Sequence, residues 1–359
     1  MLIVIPESRD ETIEVRADER FDEPALVEYL RGKLTGAEGD PIVSQFAGGA
    51  ANLTYQLDYG DRVYVLRRPP LGPVAPRAHD MGREYQVLSR IHSAYPPAPR
   101  AYVFCDDPSV IGAEFLVMER RYGTVVRRTM PESFAQLPGA PRELGEALVD
   151  ALADLHTVDY ESVGLADLGR PEGFIERQVA GWHQRWEAAR ADELPAMESA
   201  HSWLAAHLPA SRDYSLVHND FKLDNCMFAS DDPSHLEAVF DWDMATLGDP
   251  LSDLGGLLAY WVEPSDPEGV KSFSPMPSGV DGFPSRSELV ERYARRSGRD
   301  VAEIDFYHAL GLYRVAVILA QLFIRWQRGQ TRDERFAGMW DITKLVAEAA
   351  AAKASPGHD

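Results

Sequence analysis

Hydrophobic and polar residues alternate along the first part of the chain. In PIVSQFAGGAANLTYQLDYGDRVYVLRRPP, three alternating runs are separated by turn-forming residues, the second turn being YGDR. This pattern predicts a small antiparallel sheet of three strands. The stretch HDMGREYQVLSRIHS then has helical spacing, and AEFLVMERR, from Ala113, predicts a further strand.

The pattern changes beyond the loop QLPGAP, where Leu144, Leu148, Leu152 and Leu155 recur at helical spacing. Most of the following chain is predicted to be helical. A hairpin interrupts this part, with strands CMFAS and LEAVF joined by the turn DDPSH. The segment VEPSDPEGVKSFSPMPSGVDGFPSR is rich in Pro, Gly and Ser and predicts a long loop.

The fold class predicted from these patterns is α+β with two lobes. A β-rich lobe would cover residues 1–118, and a mainly helical lobe would cover residues 119–359. The chain has 359 residues, of which 45% are hydrophobic, so it can bury a sizeable core. Its formal net charge of −21 argues against the basic surface that sequence-independent nucleic-acid binding requires.

The sequence contains few features that indicate a cellular compartment. Cys105 and Cys226 are too few for a disulfide framework, and their spacing fits no zinc pattern. The opening MLIVIPESRDETIEVRADER lacks the basic start of a secretory signal. The longest apolar stretch, VAVILAQLFI, is shorter than the roughly 20 residues of a membrane span. We therefore expect a cytoplasmic protein without a nucleic-acid or membrane partner; its oligomeric state stays open.

The stretch LVHNDFKLDNCMF concentrates polar residues directly after an apolar run. A hairpin returns its exit close to its entrance, so Asn225 and Asp241, one at each foot, are expected to be neighbours. A carboxylate and an amide oxygen side by side suit Mg²⁺. Asp220 is placed to accept a proton from an attacking hydroxyl. The spacing H-x-D-x-x-x-x-N followed by an aspartate is that of kinase catalytic loops; the alternative is an unrelated Asp/Asn-rich turn.

A kinase-type site needs further groups from the first lobe. The turn FAGGAANLTY, with Gly48, Gly49 and Asn52, would allow close backbone approach to a phosphate, although an ordinary hairpin turn explains it equally well. Arg67, in the strand YVLRRPP, stands where protein kinases have lysine. Arg68 would point to the opposite face of the strand, so only one of the two can face the cleft, and we choose Arg67.

Glu84 shares a helix face with Val87, Leu88 and Ile91, so its carboxylate belongs to the inward stripe. A buried carboxylate requires a cationic partner, and Arg67 is the expected one. The alternative is a first-turn glutamate favoured by the helix dipole.

The whole constellation resembles the aminoglycoside phosphotransferase and choline kinase-like family, which has a protein-kinase-like two-lobed fold. The resemblance rests on LVHNDFKLDN, VFDWDMATLGDPLSDLG and LADLHTVD. GFPSRSELVERYARRSG and FYHALGLYRVAVILAQ look closer still to the kinase-like domains fused to some acyl-CoA dehydrogenases. The resemblance implies a small antiparallel N-lobe and a larger helical C-lobe that carries the catalytic-loop hairpin.

The resemblance also implies roles for individual residues. Asp220 would be the catalytic base, Lys222 would meet the transferred phosphoryl group, and Asn225 and Asp241 would bind Mg²⁺. A solvated loop lysine is the alternative for Lys222. The hinge that contacts adenine through backbone groups would begin at Met118 and Glu119 and run to Arg121.

Several neighbouring residues receive supporting roles. His218 would support the backbone of the catalytic loop, and His156 would pack under that loop. Asp253 would cap or anchor the loop after the metal aspartate, whereas Asp243 could be a metal or a second-sphere residue. Two positions depart from the family pattern: Arg67 replaces lysine, and Asn219 stands where the family usually has glycine. The second departure puts the local backbone conformation in question.

These residues predict an ATP- and Mg²⁺-dependent phosphotransferase acting on a hydroxyl of a small molecule. A pseudokinase acting as a regulatory module and a metal-dependent hydrolase are the alternatives. The acidic excess would suit a polycationic aminoglycoside, whereas Arg314, Arg325 and Arg328 would suit a carboxylate or a coenzyme A phosphate. We favour a hydroxyacyl or related metabolite.

Overall fold

The chain divides into two compact units. The N-unit comprises the residues up to Arg121 together with Asp241–Met244, and the C-unit comprises Tyr122–Phe240 and the residues from Ala245 onward. The sequence-based boundary after residue 118 lies three positions earlier and leaves Asp241–Met244 in the other unit. The computed structural model describes residues 12–47, 52–70, 80–210, 213–331 and 333–355. Gly48 and Gly49 lie outside the described residues.

The N-unit contains a six-stranded antiparallel sheet and two helices in its described part. Its elements are β1 (Thr12–Ile13), α1 (Glu23–Leu30), β2 (Ile42–Phe46), β3 (Leu53–Asp58), β4 (Val63–Arg68), α2 (Met81–Ile91), β5 (Ala101–Cys105) and β6 (Phe115–Glu119). The strand order is β1-β2-β3-β4-β6-β5. The three alternating runs, the helix and the further strand predicted from the sequence are all confirmed.

The core of the N-unit forms because alternate residues of β3 and β4 face the same side. Leu57 pairs with Tyr64, and Tyr55 pairs with Leu66 across the two strands. All four are buried, and α1 covers them with residues such as Leu26. The alternation of side chains along β3 and β4 therefore buries one face of the sheet.

Helix α2 begins at a side-chain cap. The carboxylate of Asp80 accepts a hydrogen bond of 2.9 Å from the backbone N–H of Arg83, which satisfies one of the orphan donors at the helix start. The buried side chains of α2 recur every three or four residues, at Met81, Glu84, Val87, Leu88 and Ile91. This face carries the predicted stripe, including its carboxylate.

The C-unit is mainly helical. Its helices are α3 (Glu132–Ala135), α4 (Ala140–Leu155), α5 (Phe174–Ala189), α6 (Pro195–Ala206), α7 (Leu251–Tyr260), α8 (Glu268–Phe273), α9 (Arg286–Ser297), α10 (Ile304–Gln327) and α11 (Met339–Lys353). Its strands are β7 (Thr124–Val125), β8 (Ser215–Val217), β9 (Cys226–Ala229), β10 (Asp232–Val239) and β11 (Thr246–Gly248). The strands form a β10-β9-β7 sheet and a β11-β8 pair.

Two local predictions for the C-unit are wrong in detail. Strand β10 begins at Asp232, inside the predicted turn DDPSH, and its pairing with β9 is irregular up to Ala238. Pro233 is tolerated because β10 is an edge strand. The predicted loop between α7 and α9 contains the short helix α8, since proline before a helix is compatible with its first turn.

Helix α10 is the central helix of the C-unit and packs against α5, α7 and α11. By length and composition it could cross a membrane, with a mean hydropathy of 1.5 over an 18-residue window, although 61% of that window is buried inside the structure. The apolar stretch VAVILAQLFI identified in the sequence is thus shorter than the apolar helix that contains it. Its burial against α5, α6, α7 and α11 accounts for its hydrophobicity.

Helices α7 and α10 approach unusually closely because glycines face each other. A Cβ on Gly255 would lie 2.3 Å from the carbonyl oxygen of Tyr307, and one on Gly311 would lie 2.4 Å from the carbonyl oxygen of Gly255. Any larger residue would collide with backbone. This contact fixes α7, which carries Asp253, relative to α10, which carries Arg314.

Candidate active site

Arg67 is the centre of a buried charge cluster in the N-unit. One guanidinium nitrogen contacts the Glu84 carboxylate, and the other, Nη2, lies 2.8 Å from Oδ1 of Asp241. Glu84 is fully buried and the Arg67 side chain is nearly so. The predicted Arg67–Glu84 ion pair is confirmed.

Arg68 points to the opposite face of β4, as strand geometry requires. Its guanidinium reaches the Tyr55 hydroxyl at 2.8 Å and the backbone carbonyl of Glu19 at 2.5 Å. It is therefore a structural residue of the N-unit core. The prediction that Arg67, and not Arg68, contacts Glu84 is confirmed.

The pKa values of Glu84 and Arg67 in this cluster are both raised. Burial raises the pKa of Glu84 to about 7, and the positive charge of Arg67 opposes that rise. Burial would lower the pKa of Arg67, but the charges of Glu84 and Asp241 outweigh it and raise that pKa. Nε of Arg67 and Oε2 of Glu84 are buried without a hydrogen-bond partner among the described residues.

Asn52 is a second unsatisfied group in the N-unit. Its side chain is buried, and neither its amide nitrogen nor its oxygen has a hydrogen-bond partner in the described part of the chain. Buried amides are normally satisfied. Asn52 directly precedes β3, which fits its predicted place at the phosphate-binding turn.

The predicted hinge begins at the end of β6. Met118 is buried and pairs with Val65 of β4. The backbone N–H of Glu119 donates to the carbonyl of Arg100 at 2.8 Å. A contact from Glu119 to a nucleobase would therefore come from its carbonyl group, and the adenine-binding role of Met118 and Glu119 stays a prediction.

The C-unit half of the site is the loop between β8 and β9. Oδ2 of Asp220 accepts hydrogen bonds from Nζ of Lys222 at 2.6 Å and from Nδ2 of Asn225 at 2.9 Å. Nδ2 of Asn225 also donates to the backbone carbonyl of Asp220 at 2.8 Å. The three predicted residues of this loop are thus brought together around one carboxylate oxygen.

Lys222 is mostly buried beside two carboxylates. Burial would lower its pKa, but the charges of Asp220 and Asp224 outweigh that effect and raise it. Nζ also lies 5.4 Å from the centre of the Tyr260 ring. Lys222 is therefore a charged residue held in the loop, which contradicts the alternative of a solvated lysine.

Asn219 adopts a left-handed backbone conformation, with φ of 67°. Glycine is the usual residue in this region, and asparagine is among the few others that enter it readily. Replacing the usual glycine by asparagine therefore preserves the loop backbone. The carbonyl of Asn219 also accepts a hydrogen bond of 3.0 Å from Nη2 of Arg314.

Asp253 holds the catalytic loop from helix α7. Its carboxylate accepts the backbone N–H groups of His218 at 2.6 Å and Asn219 at 2.7 Å. Burial would raise the pKa of Asp253, but hydrogen bonding and charge from His156 and the N–H of His218 lower it below its ordinary range. Asp253 therefore anchors the catalytic loop, whereas the sequence predicted that it would cap or anchor the loop after Asp241.

His218 and His156 are both supporting residues. Nε2 of His218 lies 2.9 Å from the carbonyl of Phe240 and must donate to it, while its Nδ1 accepts the N–H of Asp220 at 3.2 Å. Nδ1 of His156 lies 2.7 Å from the Tyr293 hydroxyl, and its Nε2 lies 3.3 Å from Asp253. Burial lowers the pKa of His156 below its ordinary value, although the hydrogen bond to Asp253 opposes that effect.

Sequence analysis missed Tyr293 and the contact of Arg314 with the loop. Tyr293 lies on α9 and is fully buried against His156. A tyrosine on an amphipathic helix is typical of core packing, so no local signal distinguishes it. Arg314 was noted only for its charge, and its hydrogen bond depends on the packing of α10.

Asp241 has an unusual backbone and follows the hairpin directly. Its φ is 69°, a region that non-glycine residues enter at a cost, and such residues cluster at functional sites. The preceding residue, Phe240, donates its N–H to the carbonyl of Asn225 at 2.8 Å. The hairpin therefore joins its two feet as predicted.

The donor set of each half is compatible with Mg²⁺. Both hydrogens of the Asn225 amide are engaged by Asp220, so its side chain presents the oxygen. Asp241 supplies a carboxylate that is 29% exposed. Amide and carboxylate oxygens are the ligands that Mg²⁺ prefers.

Comparison with known proteins places these residues in context. The model of the phosphotransferase enzyme family matches residues 42–310. Acyl-CoA dehydrogenase family member 11 of Gallus gallus is 34% identical over 345 residues, which is 94% of this chain and 44% of that protein. The chain therefore spans less than half the length of this curated relative.

Solved structures share the fold. A protein from Ralstonia eutropha, provisionally described as an aminoglycoside phosphotransferase, is 30% identical with a TM-score of 0.79, and the match covers 93% of this chain and 98% of that one. A thermostable aminoglycoside phosphotransferase APH(4)-Ia, in ternary complex with AMP-PNP and hygromycin B, is 18% identical with a TM-score of 0.59 over 93% of this chain and 99% of that one. Each of the two units accordingly has the architecture of a lobe of the kinase-like fold.

Proposed function

This chain belongs to the phosphotransferase enzyme family, and we propose that it transfers the γ-phosphate of ATP to a hydroxyl group of a small-molecule acceptor. The observation that carries the proposal is the arrangement around Asp220. Lys222 and Asn225 occupy Oδ2, and Oδ1 makes no hydrogen bond with any described residue. That leaves one oxygen of a fixed carboxylate to accept the hydrogen of an acceptor hydroxyl.

Nucleotide binding is assigned to groups of the N-unit. Arg67 would contact phosphate oxygens, Glu84 keeps its guanidinium in position, and the unsatisfied amide of Asn52 would donate to phosphate. The APH(4)-Ia complex with AMP-PNP supports a nucleotide in this fold. The backbone at Gly48 and Gly49 and at Met118 and Glu119 would complete the nucleotide contacts.

Asn225 and Asp241 would hold Mg²⁺. The chemistry that a bound Mg²⁺ supplies in such enzymes is neutralisation of phosphate charge. Around it, the chain's own residues do the positioning: Asp220 orients the acceptor and takes its proton at Oδ1, while Lys222 offers its charge to the transferred phosphoryl group. Positioning and electrostatics account for most of the acceleration in phosphoryl transfer.

The decisive experiment is the variant Asp220→Asn. Turnover should fall by about a thousandfold or more, because the amide cannot accept the proton, while binding of Mg²⁺ and AMP-PNP measured by calorimetry should stay nearly unchanged. The matched control is Glu348→Gln, an exposed carboxylate of α11. Unchanged turnover in Asp220→Asn would contradict the proposal.

The acceptor side favours an anionic molecule. The guanidinium carbons of Arg314 and Arg185 lie 5.2 and 4.4 Å from the ring centre of Trp182. Neither arginine forms an ion pair with a described residue, although Arg314 donates to the catalytic loop at Asn219. Uncompensated guanidinium groups attract carboxylates or phosphates and repel a polycationic aminoglycoside.

We therefore rank a hydroxyacyl or related anionic metabolite above an aminoglycoside. Arg325 and Arg328 do not join this cluster, because 11 residues along α10 separate Arg314 from Arg325, which is about 16 Å. A screen of hydroxyl-bearing metabolites, with hydroxyacyl-CoA thioesters and aminoglycosides as its two arms, tests the ranking by ATP-dependent phosphate transfer. Arg185→Gln should raise KM for an anionic acceptor, whereas Arg295→Gln, an exposed arginine of α9, should not.

A pseudokinase is the alternative. Thermal stabilisation by Mg²⁺ and ATP without phosphate transfer to any acceptor would favour it. The fixed geometry at Asp220 supports the enzyme, because a regulatory module has no need for an oriented base. We further propose a cytoplasmic location and no nucleic-acid or membrane partner.

A further inference from the structure

A cavity of about 560 Å³ lies in the N-unit. Its principal lining residues are cations and tyrosines: Lys33, Arg62, Tyr64, Tyr85, Arg100 and Tyr102. Tyr64 lies on the face of β4 opposite Arg67, since the two are three positions apart and successive side chains of a strand alternate between its faces. The cavity, named here the cation–tyrosine cavity, is therefore distinct from the Arg67 cluster.

The cations of this cavity lack carboxylate partners. Lys33, Arg62 and Arg100 form no ion pair with any residue in the described part of the N-unit. Several other N-unit arginines do form one; Arg31, for example, pairs with Glu28 at 2.8 Å and Arg121 with Glu119 at 3.1 Å. Three uncompensated cations in one cavity are unexpected in a chain with a net charge of −21.

Aromatic rings hold two of these cations in place. Nζ of Lys33 lies 3.1 Å from the ring centre of Tyr29, and the guanidinium carbon of Arg100 lies 5.2 Å from that of Tyr102. A ring face orients a cation without cancelling its charge. Both cations are thus fixed in position with their full charge available.

Tyr64 and Tyr102 form another part of the wall of the cation–tyrosine cavity. The Tyr64 hydroxyl donates to the carbonyl of Thr35 at 2.6 Å, which ties down the segment that carries Lys33. The Tyr64 and Tyr102 rings meet edge to face, with centres 5.5 Å apart. Tyr102 is 37% exposed and offers ring surface to the solvent.

We propose that the cation–tyrosine cavity binds an organic phosphate of nucleotide size at a site separate from the catalytic residues. Phosphate oxygens are matched by guanidinium and ammonium donors. The exposed Tyr102 ring gives a planar group a surface on which to stack. The volume falls within the range of small-molecule sites, roughly 300–1,000 Å³.

The site is tested on the full chain by calorimetry without divalent metal, with inorganic pyrophosphate and AMP as probes. Wild-type protein should bind both in the micromolar to millimolar range, and AMP more tightly if the ring stacks on tyrosine. The double variant Arg62→Ala/Arg100→Ala should weaken binding by about a hundredfold or more, because it removes both guanidinium groups that would form charge-assisted hydrogen bonds to phosphate.

Arg31→Ala is the matched control, since Arg31 is an exposed arginine of the same unit that already pairs with a carboxylate. Lys33→Gln provides an independent variant in case the double substitution lowers the unfolding temperature. Absence of wild-type binding at millimolar concentration, an unchanged affinity in the cavity variants, or an equal loss in Arg31→Ala would each overturn the proposal. A loss confined to the cavity variants would support it.

Discussion

The candidate site residues of the N-unit and those of the C-unit are held in different ways. In the N-unit, the Arg67 cluster and Asn52 leave polar atoms buried without partners among the described residues. In the C-unit, backbone groups of the catalytic loop are hydrogen-bonded to neighbouring helices: Asp253 accepts the N–H groups of His218 and Asn219, and Arg314 donates to the Asn219 carbonyl.

This difference assigns different tasks to the two halves. Buried polar atoms without partners cost free energy in the free protein, and a bound phosphate would accept hydrogen bonds from the two donors among them, Nε of Arg67 and Nδ2 of Asn52. A loop whose backbone is held by hydrogen bonds instead keeps its reactive carboxylate in one geometry before any ligand arrives. The N-unit half is thus suited to binding, and the C-unit half to positioning the base.

The largest expected effect on stability is in the N-unit cluster. Arg67→Met should lower the free energy of unfolding by about 3–5 kcal/mol, because it leaves the buried Glu84 carboxylate without its cation. Chemical denaturation measures the loss, and Arg31→Met, which changes an exposed side chain at the C-cap of α1, should alter stability by less than about 0.5 kcal/mol. A loss below 1 kcal/mol for Arg67→Met would show that the ion pair is dispensable.

The C-unit counterpart is Asp253→Ala. Two backbone N–H groups of the catalytic loop lose their acceptor, which should cost about 2–4 kcal/mol and reduce kcat. Denaturation and steady-state kinetics provide the two measurements. Asp154→Ala, which breaks an exposed pair with Arg296, serves as control and should cost less than about 1 kcal/mol. Full activity in Asp253→Ala would contradict the positioning role.

The two carboxylates should respond to pH with opposite signs. Asp253 has a lowered pKa, so its stabilising contribution is present above its unfolded-state value of about 4 and is lost as pH falls. Glu84 has a pKa raised to about 7, so its contribution to stability declines as pH rises from about 4.5 to 7.

Unfolding free energies measured between pH 3 and 8 check these signs, with Asp253→Asn and Glu84→Gln each removing one titration. Each group contributes a slope of up to about 1.4 kcal/mol per pH unit. Equal pH dependence in wild type and Glu84→Gln would contradict the raised pKa of Glu84.

The smallest effect concerns Asn219. Asn219→Gly should change stability by no more than about 0.5 kcal/mol, because glycine enters the left-handed region freely. Asn219→Val should cost about 1–2 kcal/mol, because a β-branched residue is strained at positive φ. Thermal unfolding distinguishes the two, and equal stability of both variants would exclude a left-handed backbone at this position.

Local patterns in the sequence predicted much of the site. The inward stripe of α2 correctly placed Glu84 against Arg67, and the hairpin correctly joined its two feet. The turn DDPSH and the loop before α9 were predicted less well, because Pro233 sits on an edge strand and a proline also begins α8. Local residue type cannot distinguish these cases from a turn, since the choice depends on neighbouring strands and helices.

By itself, the sequence determined the residues whose roles depend on near neighbours: the spacing of Asp220, Lys222 and Asn225, and the face of Glu84. Only the tertiary structure decided what holds them. Tyr293 and Arg314 come from helices more than 60 residues beyond the catalytic loop, and the approach of α7 to α10 at Gly255 brings their support into place. Side-chain periodicity specifies which face of a helix is buried, whereas the partner of that face follows from packing over the whole unit.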